Sequence, residues 1–90
     1  MKLSDKISIP AQVVARQVGA ETVILDLASG TYFGLDATGA RIWQLMGEGK
    51  TIAEICAVML AEYEVSREAI ERDVLALAEE LCAKQLISSA

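Results

Sequence analysis

The sequence predicts an α+β fold, winged-helix-turn-helix-like, with a three-stranded antiparallel sheet followed by three helices. Two observations carry this. Up to Asp36 the chain holds short runs of β-branched and apolar residues broken by turn residues. Beyond it come three stripes of apolar residues at helical spacing. Strands first and helices after is the order of an α+β domain, not of alternating βαβ units. With no linker, repeat or low-complexity segment, residues 1–90 read as one domain.

Ile7-Ser8-Ile9-Pro10 is a short extended lead-in, and Pro10 keeps it from being a central strand. Val13 to Val18 reads as the first strand of the sheet, punctuated by Gly19-Ala20-Glu21. Thr22 to Leu27 is the second strand and Thr31 to Leu35 the third. Asp36 is an N-cap, opening a first helix over Ala37 to Met46 with Trp43 as its anchor aromatic. Gly47-Glu48-Gly49-Lys50 stops that helix, and Thr51-Ile52-Ala53-Glu54 is a capping box opening a second helix to about Glu62. Its core stripe is Ile52, Ile55, Cys56, Met59 and Leu60. Ser66 caps a third helix to about Lys84, with Ile70, Val74, Leu77 and Leu81 as its stripe, flanked by Leu75, Ala78 and Cys82. Leu86-Ile87 closes the core.

The hairpin between the second and third strands can be joined in two ways. A two-residue Ser29-Gly30 turn places Leu27 opposite Tyr32 and separates Leu25 from Phe33. A three-residue Ala28-Ser29-Gly30 loop, with Gly30 left-handed in a G1 bulge, places Leu25 opposite Phe33 and Val23 opposite Leu35. Only the bulged loop gathers Val23, Leu25, Leu27, Phe33 and Leu35 on one face, so it is the expected register. Ile24, Asp26, Tyr32 and Gly34 then form the other, mixed face.

Composition narrows the function. Eight basic against thirteen acidic residues leave a net charge of −5, which disfavours nucleic acid, since a phosphate-neutralising surface must be basic. No apolar run approaches the roughly 20 residues of a membrane span, and Met1-Lys2-Leu3-Ser4-Asp5 lacks the apolar region of a secretory signal. A cytoplasmic protein with no membrane partner is expected. Cys56 and Cys82 sit at apolar helical positions and read as buried hydrophobes in a reducing compartment. Without histidine, no Ser–His–Asp or Cys–His pair can form, and two distant cysteines make no metal site. The carboxylates Glu62, Glu64, Glu68, Glu71 and Asp73 read as a solvated face around a helix start. The glycines never form a phosphate-cradling loop. No enzyme activity, cofactor or metal is expected.

The third strand is different. Sheet edges are commonly blunted by Lys, Pro or charge, and Thr31-Tyr32-Phe33-Gly34-Leu35 has none of these. An uncharged edge with a side-chain-free residue suits β-augmentation, where main-chain bonds give affinity and pockets give specificity.

The segment Val23 to Asp36 resembles the hairpin of the PqqD-like domains, also called RiPP recognition elements. Gly39-Ala40-Arg41-Ile42-Trp43 and Gly49-Lys50-Thr51-Ile52-Ala53-Glu54-Ile55 are similar to their first two helices. Asp73-Val74 and Leu81 to Ile87 are similar to the close of the third, so the resemblance spans about residues 11 to 88. It implies a non-catalytic adaptor that binds the leader of a ribosomally made precursor peptide as an extra antiparallel strand. The adaptor would hand that peptide to a maturation enzyme such as a leader peptidase. On this resemblance Thr31, Tyr32, Phe33, Gly34 and Leu35 form one wall of the groove. Ile70, Asp73, Val74, Leu77 and Glu80 of the third helix are candidates for the other, with the flank that faces it left open. Ala28-Ser29-Gly30 replaces the Pro-Glu of the quinone-cofactor (PQQ) subtype, so the chain looks closer to stand-alone proteins of lasso-peptide pathways. The alternatives are a PQQ-biosynthesis peptide chaperone, a winged-helix DNA-binding regulator, and a structural subunit whose edge pairs with another domain. The acidic third helix argues against the regulator.

Overall fold

Six residues of β2 (Val13–Val18), six of β3 (Glu21–Asp26) and four of β4 (Tyr32–Leu35) pair in that order into an antiparallel sheet, with β3 in the centre. The computed structural model describes residues 1–89. Helices α1 (Ala37–Gly47), α2 (Ile52–Glu62) and α3 (Arg67–Ala83) follow. This is the expected α+β order. A second, two-stranded pairing joins β1 (Ile7–Ser8) to β5 (Ser88–Ser89), so the lead-in segment is a strand closed by the other end of the chain. Such a long-range ladder leaves no local signal in two-residue strands.

The hairpin register differs from the expected one by a residue. Leu25 lies opposite Tyr32, Ile24 opposite Phe33, Val23 opposite Gly34 and Thr22 opposite Leu35. The loop is four residues, Leu27 to Gly30, closed by the Asp26 N–H donating to the Thr31 carbonyl at 2.8 Å. Asp26 causes this. Its Oδ1 accepts the N–H groups of Ala28 at 2.9 Å and Ser29 at 3.4 Å, and its carbonyl accepts from Gly30, which takes a left-handed φ of 77°. An Asx turn of this kind satisfies loop donors from inside, so the carboxylate stays on the core side. Since a one-residue slip exchanges faces, Ile24 and Asp26 join Phe33 and Leu35 on the inner face. Val23 and Leu25 turn to the outer face, and Leu27 leaves the strand and is 63% exposed.

The helices are capped as their sequences require. The Gly39 N–H donates to Asp36 Oδ1 at 2.8 Å, and the Ala69 N–H to Ser66 Oγ at 3.1 Å. In the capping box, the Glu54 N–H donates to Thr51 Oγ1 and the Thr51 N–H to Glu54 Oε1, which holds the Glu54 carboxyl below its usual range. Two further N-terminal amides of α2, those of Ile52 and Ala53, donate to the carbonyls of Asp5 and Leu3. The segment before β1 is thereby tied to the bundle.

The inner faces meet in one core. Ile24, Leu35, Ile42, Leu45, Met46, Ile52, Ile55, Cys56, Met59, Ile70, Val74, Ala78, Leu81, Leu86 and Ile87 are buried there. Burying each large aliphatic side chain contributes about 1.5–3 kcal/mol. Burial also pushes the Cys56 thiol pKa up, as expected of an inert buried cysteine. Cys82, by contrast, is exposed, because it lies beside the α3 stripe and not within it. Leu60 and Leu77 are half-buried rather than central. Trp43 is half-buried too: it packs against the core from its margin and lines a second recess with Gln17, Thr22, Arg41 and Tyr63. Leu45 and Met46 take the central place on α1.

Candidate functional site

The site begins with the open edge of β4. Antiparallel strands alternate residues whose main-chain groups face the neighbour with residues whose groups face away. Asp26 bonds to Thr31, and Ile24 and Thr22 lie opposite Phe33 and Leu35. The backbone groups of Thr31, Phe33 and Leu35 therefore point to β3. Those of Tyr32 and Gly34 point out along the edge.

Beside this edge lies a groove of about 330 Å³, lined by Phe33, Gly34, Leu35 and Asp36 on one side and by Asp73 and Leu77 of α3 on the other. Thr38, Gly39 and Ile42, from the first turns of α1, form its floor and end. Gly39 allows the close approach. A Cβ there would meet Leu35 Cδ2 at 3.2 Å and Asp36 Oδ1 at 3.3 Å, so a larger residue would make the Leu35 side chain or the Asp36 cap give by a few tenths of an ångström. At the other end of β4, Lys84 Nζ stands 5.8 Å from the centre of the Phe33 ring.

Of the residues named from sequence, Phe33, Gly34, Leu35, Asp73 and Leu77 are brought together around the groove. Tyr32 projects to the outer face of the sheet with 73% of its surface exposed, so its backbone but not its ring faces the edge. Thr31 is half-buried in the hairpin end, its hydroxyl accepting from Ser29 Oγ at 2.9 Å. Ile70 and Val74 are buried in the core and do not line the groove, while Glu80 is exposed one turn beyond Leu77. Helical spacing explains the split: Asp73, Leu77 and Glu80 share a stripe displaced from the one holding Ile70, Val74, Ala78 and Leu81. Sequence reasoning missed Asp36, Thr38, Gly39 and Ile42. The spacing of Asp36 and Gly39, cap and capped amide, was the available signal.

The groove is apolar in its walls and floor, through Phe33, Leu35, Ile42 and Leu77, with carboxylates on its rim. Among the described residues no three His, Cys, Asp or Glu side chains gather as a metal site, and no helix is long and apolar enough to cross a membrane. Away from the groove, Arg41 donates through Nε and Nη2 to both Glu62 carboxylate oxygens, at 2.8 and 2.6 Å. That hydrogen-bonded pair lowers the Glu62 pKa, raises that of Arg41, and ties α1 to the end of α2.

A short sheet with an uncharged free edge, an adjoining apolar groove and three helices defines a small winged-helix-like domain. This chain belongs to the PqqD family: residues 21–87 match the family described as Coenzyme PQQ synthesis protein D (PqqD). Two solved structures are similar over nearly the whole chain. One is TbiB1 in complex with the TbiA(beta) leader peptide, 44% identical, with 90% of this chain and 94% of that one covered and a TM-score of 0.83. The other is a lasso peptide synthetase B1 complexed with the leader peptide, 30% identical, with 92% and 98% covered and a TM-score of 0.84. No curated protein matches the sequence.

Proposed function

We propose that this protein binds the leader segment of a ribosomally made precursor peptide, of the lasso-peptide kind, as a strand added antiparallel to β4. One observation carries the reading. The uncharged β4 edge, with the main-chain groups of Tyr32 and Gly34 turned outward, borders the apolar groove between Phe33 and Leu77. The two similar structures, both complexes with leader peptides, support the same reading.

The mechanism is non-catalytic. Main-chain bonds hold the peptide and fix its register, while Phe33, Leu35, Ile42 and Leu77 receive one of its apolar side chains. A processing enzyme, a leader peptidase for instance, then meets the core peptide at a raised effective concentration. The two unpaired cysteines fit a reducing cytoplasm. A DNA-binding role is disfavoured by α3, where acidic residues outnumber basic ones.

Hydrogen exchange with a cognate leader peptide tests this. New protection is expected at the amides of Tyr32 and Gly34, with little change at Phe33 and along β3. Protection confined to the helices would overturn strand addition. Chemical change of the peptide by this protein alone would overturn the adaptor role.

A further inference from the structure

The groove has carboxylates in its lining and a lysine just beyond it. Asp36 and Asp73 both line it, whereas Lys84, three turns beyond Asp73 along α3, lies outside the lining and stands over the Phe33 ring near the start of β4. The C-terminal end of α3 thus lies by the beginning of β4, and Asp73, three turns earlier, lies by its end. The helix runs opposite to the strand. A peptide added antiparallel to β4 would therefore run parallel to α3, with its N-terminal half at Asp73 and its C-terminal half at Lys84.

We propose that this groove selects its peptide by charge polarity, taking a basic residue in the N-terminal half of the bound segment and an acidic one toward the C-terminal half. This rests on the strand-addition reading above. The spacing follows from geometry. Eleven residues of helix from Asp73 to Lys84 rise about 16 Å, which an extended strand covers in about five residues. An apolar residue between the two charges faces Phe33 and Leu77.

Three neighbouring features bear on the sign. Arg72 comes within 3.6 Å of Asp73, but its side chain is 75% exposed and lies outside the groove lining. The N-terminus of α1 would by itself favour an anion, yet Asp36 already caps it through the Gly39 amide. Glu80, exposed one turn before Lys84, lies outside the groove lining and partly offsets the Lys84 charge, so the preference for a peptide acid is the weaker of the two. Among the described residues lining the cavity, none is Lys or Arg.

The test is selection from a random-peptide display library, run with the wild-type protein and with the Asp73→Lys, Lys84→Glu double variant. Both side chains are exposed, and matching melting curves establish that the variant folds. The wild type is expected to enrich peptides with a Lys or Arg followed four or six residues later by an Asp or Glu, the even spacing that keeps both side chains on the face turned to α3. The double variant is expected to enrich the reverse order. A wild-type-selected peptide should lose about three- to tenfold in affinity against Asp73→Lys alone at low salt, and less at high salt, as for exposed charge pairs. Enriched peptides that protect the Tyr32 and Gly34 amides but show no charge order would overturn the polarity proposal alone. A selection yielding no peptide that protects those amides would overturn strand addition, and this proposal with it.

Discussion

The Asp26 carboxylate accepts the Ala28 N–H at 2.9 Å, and this local bond decides which face of β3 enters the core. Asp26 is buried on the same side as Ile24, two residues away. A polar side chain is tolerated there because the turn's amides satisfy it.

Asp26→Ala should destabilise the protein by about 1–3 kcal/mol, the net worth of the hydrogen bonds this carboxylate accepts from the turn amides. Asp26→Asn, which keeps an acceptor, should cost less. Urea unfolding of the two variants measures the difference, and equal losses would mean that the carboxylate does not organise the turn.

Ile24 and Leu25 provide the register test. Ile24→Ala should cost about 2–5 kcal/mol, since the side chain is fully buried. Leu25→Ala, on the outer face and only half-buried, should cost clearly less. The reverse order of denaturation midpoints would restore the bulged register expected from the apolar pattern.

Gly34→Pro separates peptide binding from folding. Its N–H points away from β3, so losing it removes no sheet bond, and proline is accepted on an edge strand. Melting should change little, while a leader peptide should bind about 1–3 kcal/mol more weakly, having a carbonyl left unpaired. Titration calorimetry with unchanged affinity would show that this amide is not used.

Glu62 links stability to pH. Its pKa is depressed in the folded protein by the hydrogen bond to Arg41, so the ionised form favours the native state. The contribution is present above the ordinary carboxylate value and is lost as pH falls through the depressed one. Thermal melts of wild type and Glu62→Gln should therefore differ at neutral pH and converge in acid. A gap that persists below the carboxylate range would assign the effect to packing.

Much of the fold was legible in the sequence because its signals are local. Asp36, Thr51 and Ser66 each cap a helix through an amide three residues on, and Ile52, Ile55, Cys56 and Met59 show one helical face. The identity of the open edge followed as well, because β4 is the last strand before α1 and carries no charge to block it. The face of β3 did not follow. Val23, Leu25 and Leu27 match an apolar alternation as well as Ile24 does, and a side-chain bond in the turn outweighed the larger apolar set. The α3 wall was half legible: Asp73 and Leu77 reach the groove, but Ile70 and Val74 belong to the core. Which stripe faces inward depends on how the helix is rolled against α2 and the sheet. Periodicity names the stripes of a helix, and only packing against the other elements decides which of them is buried and which is left for a ligand.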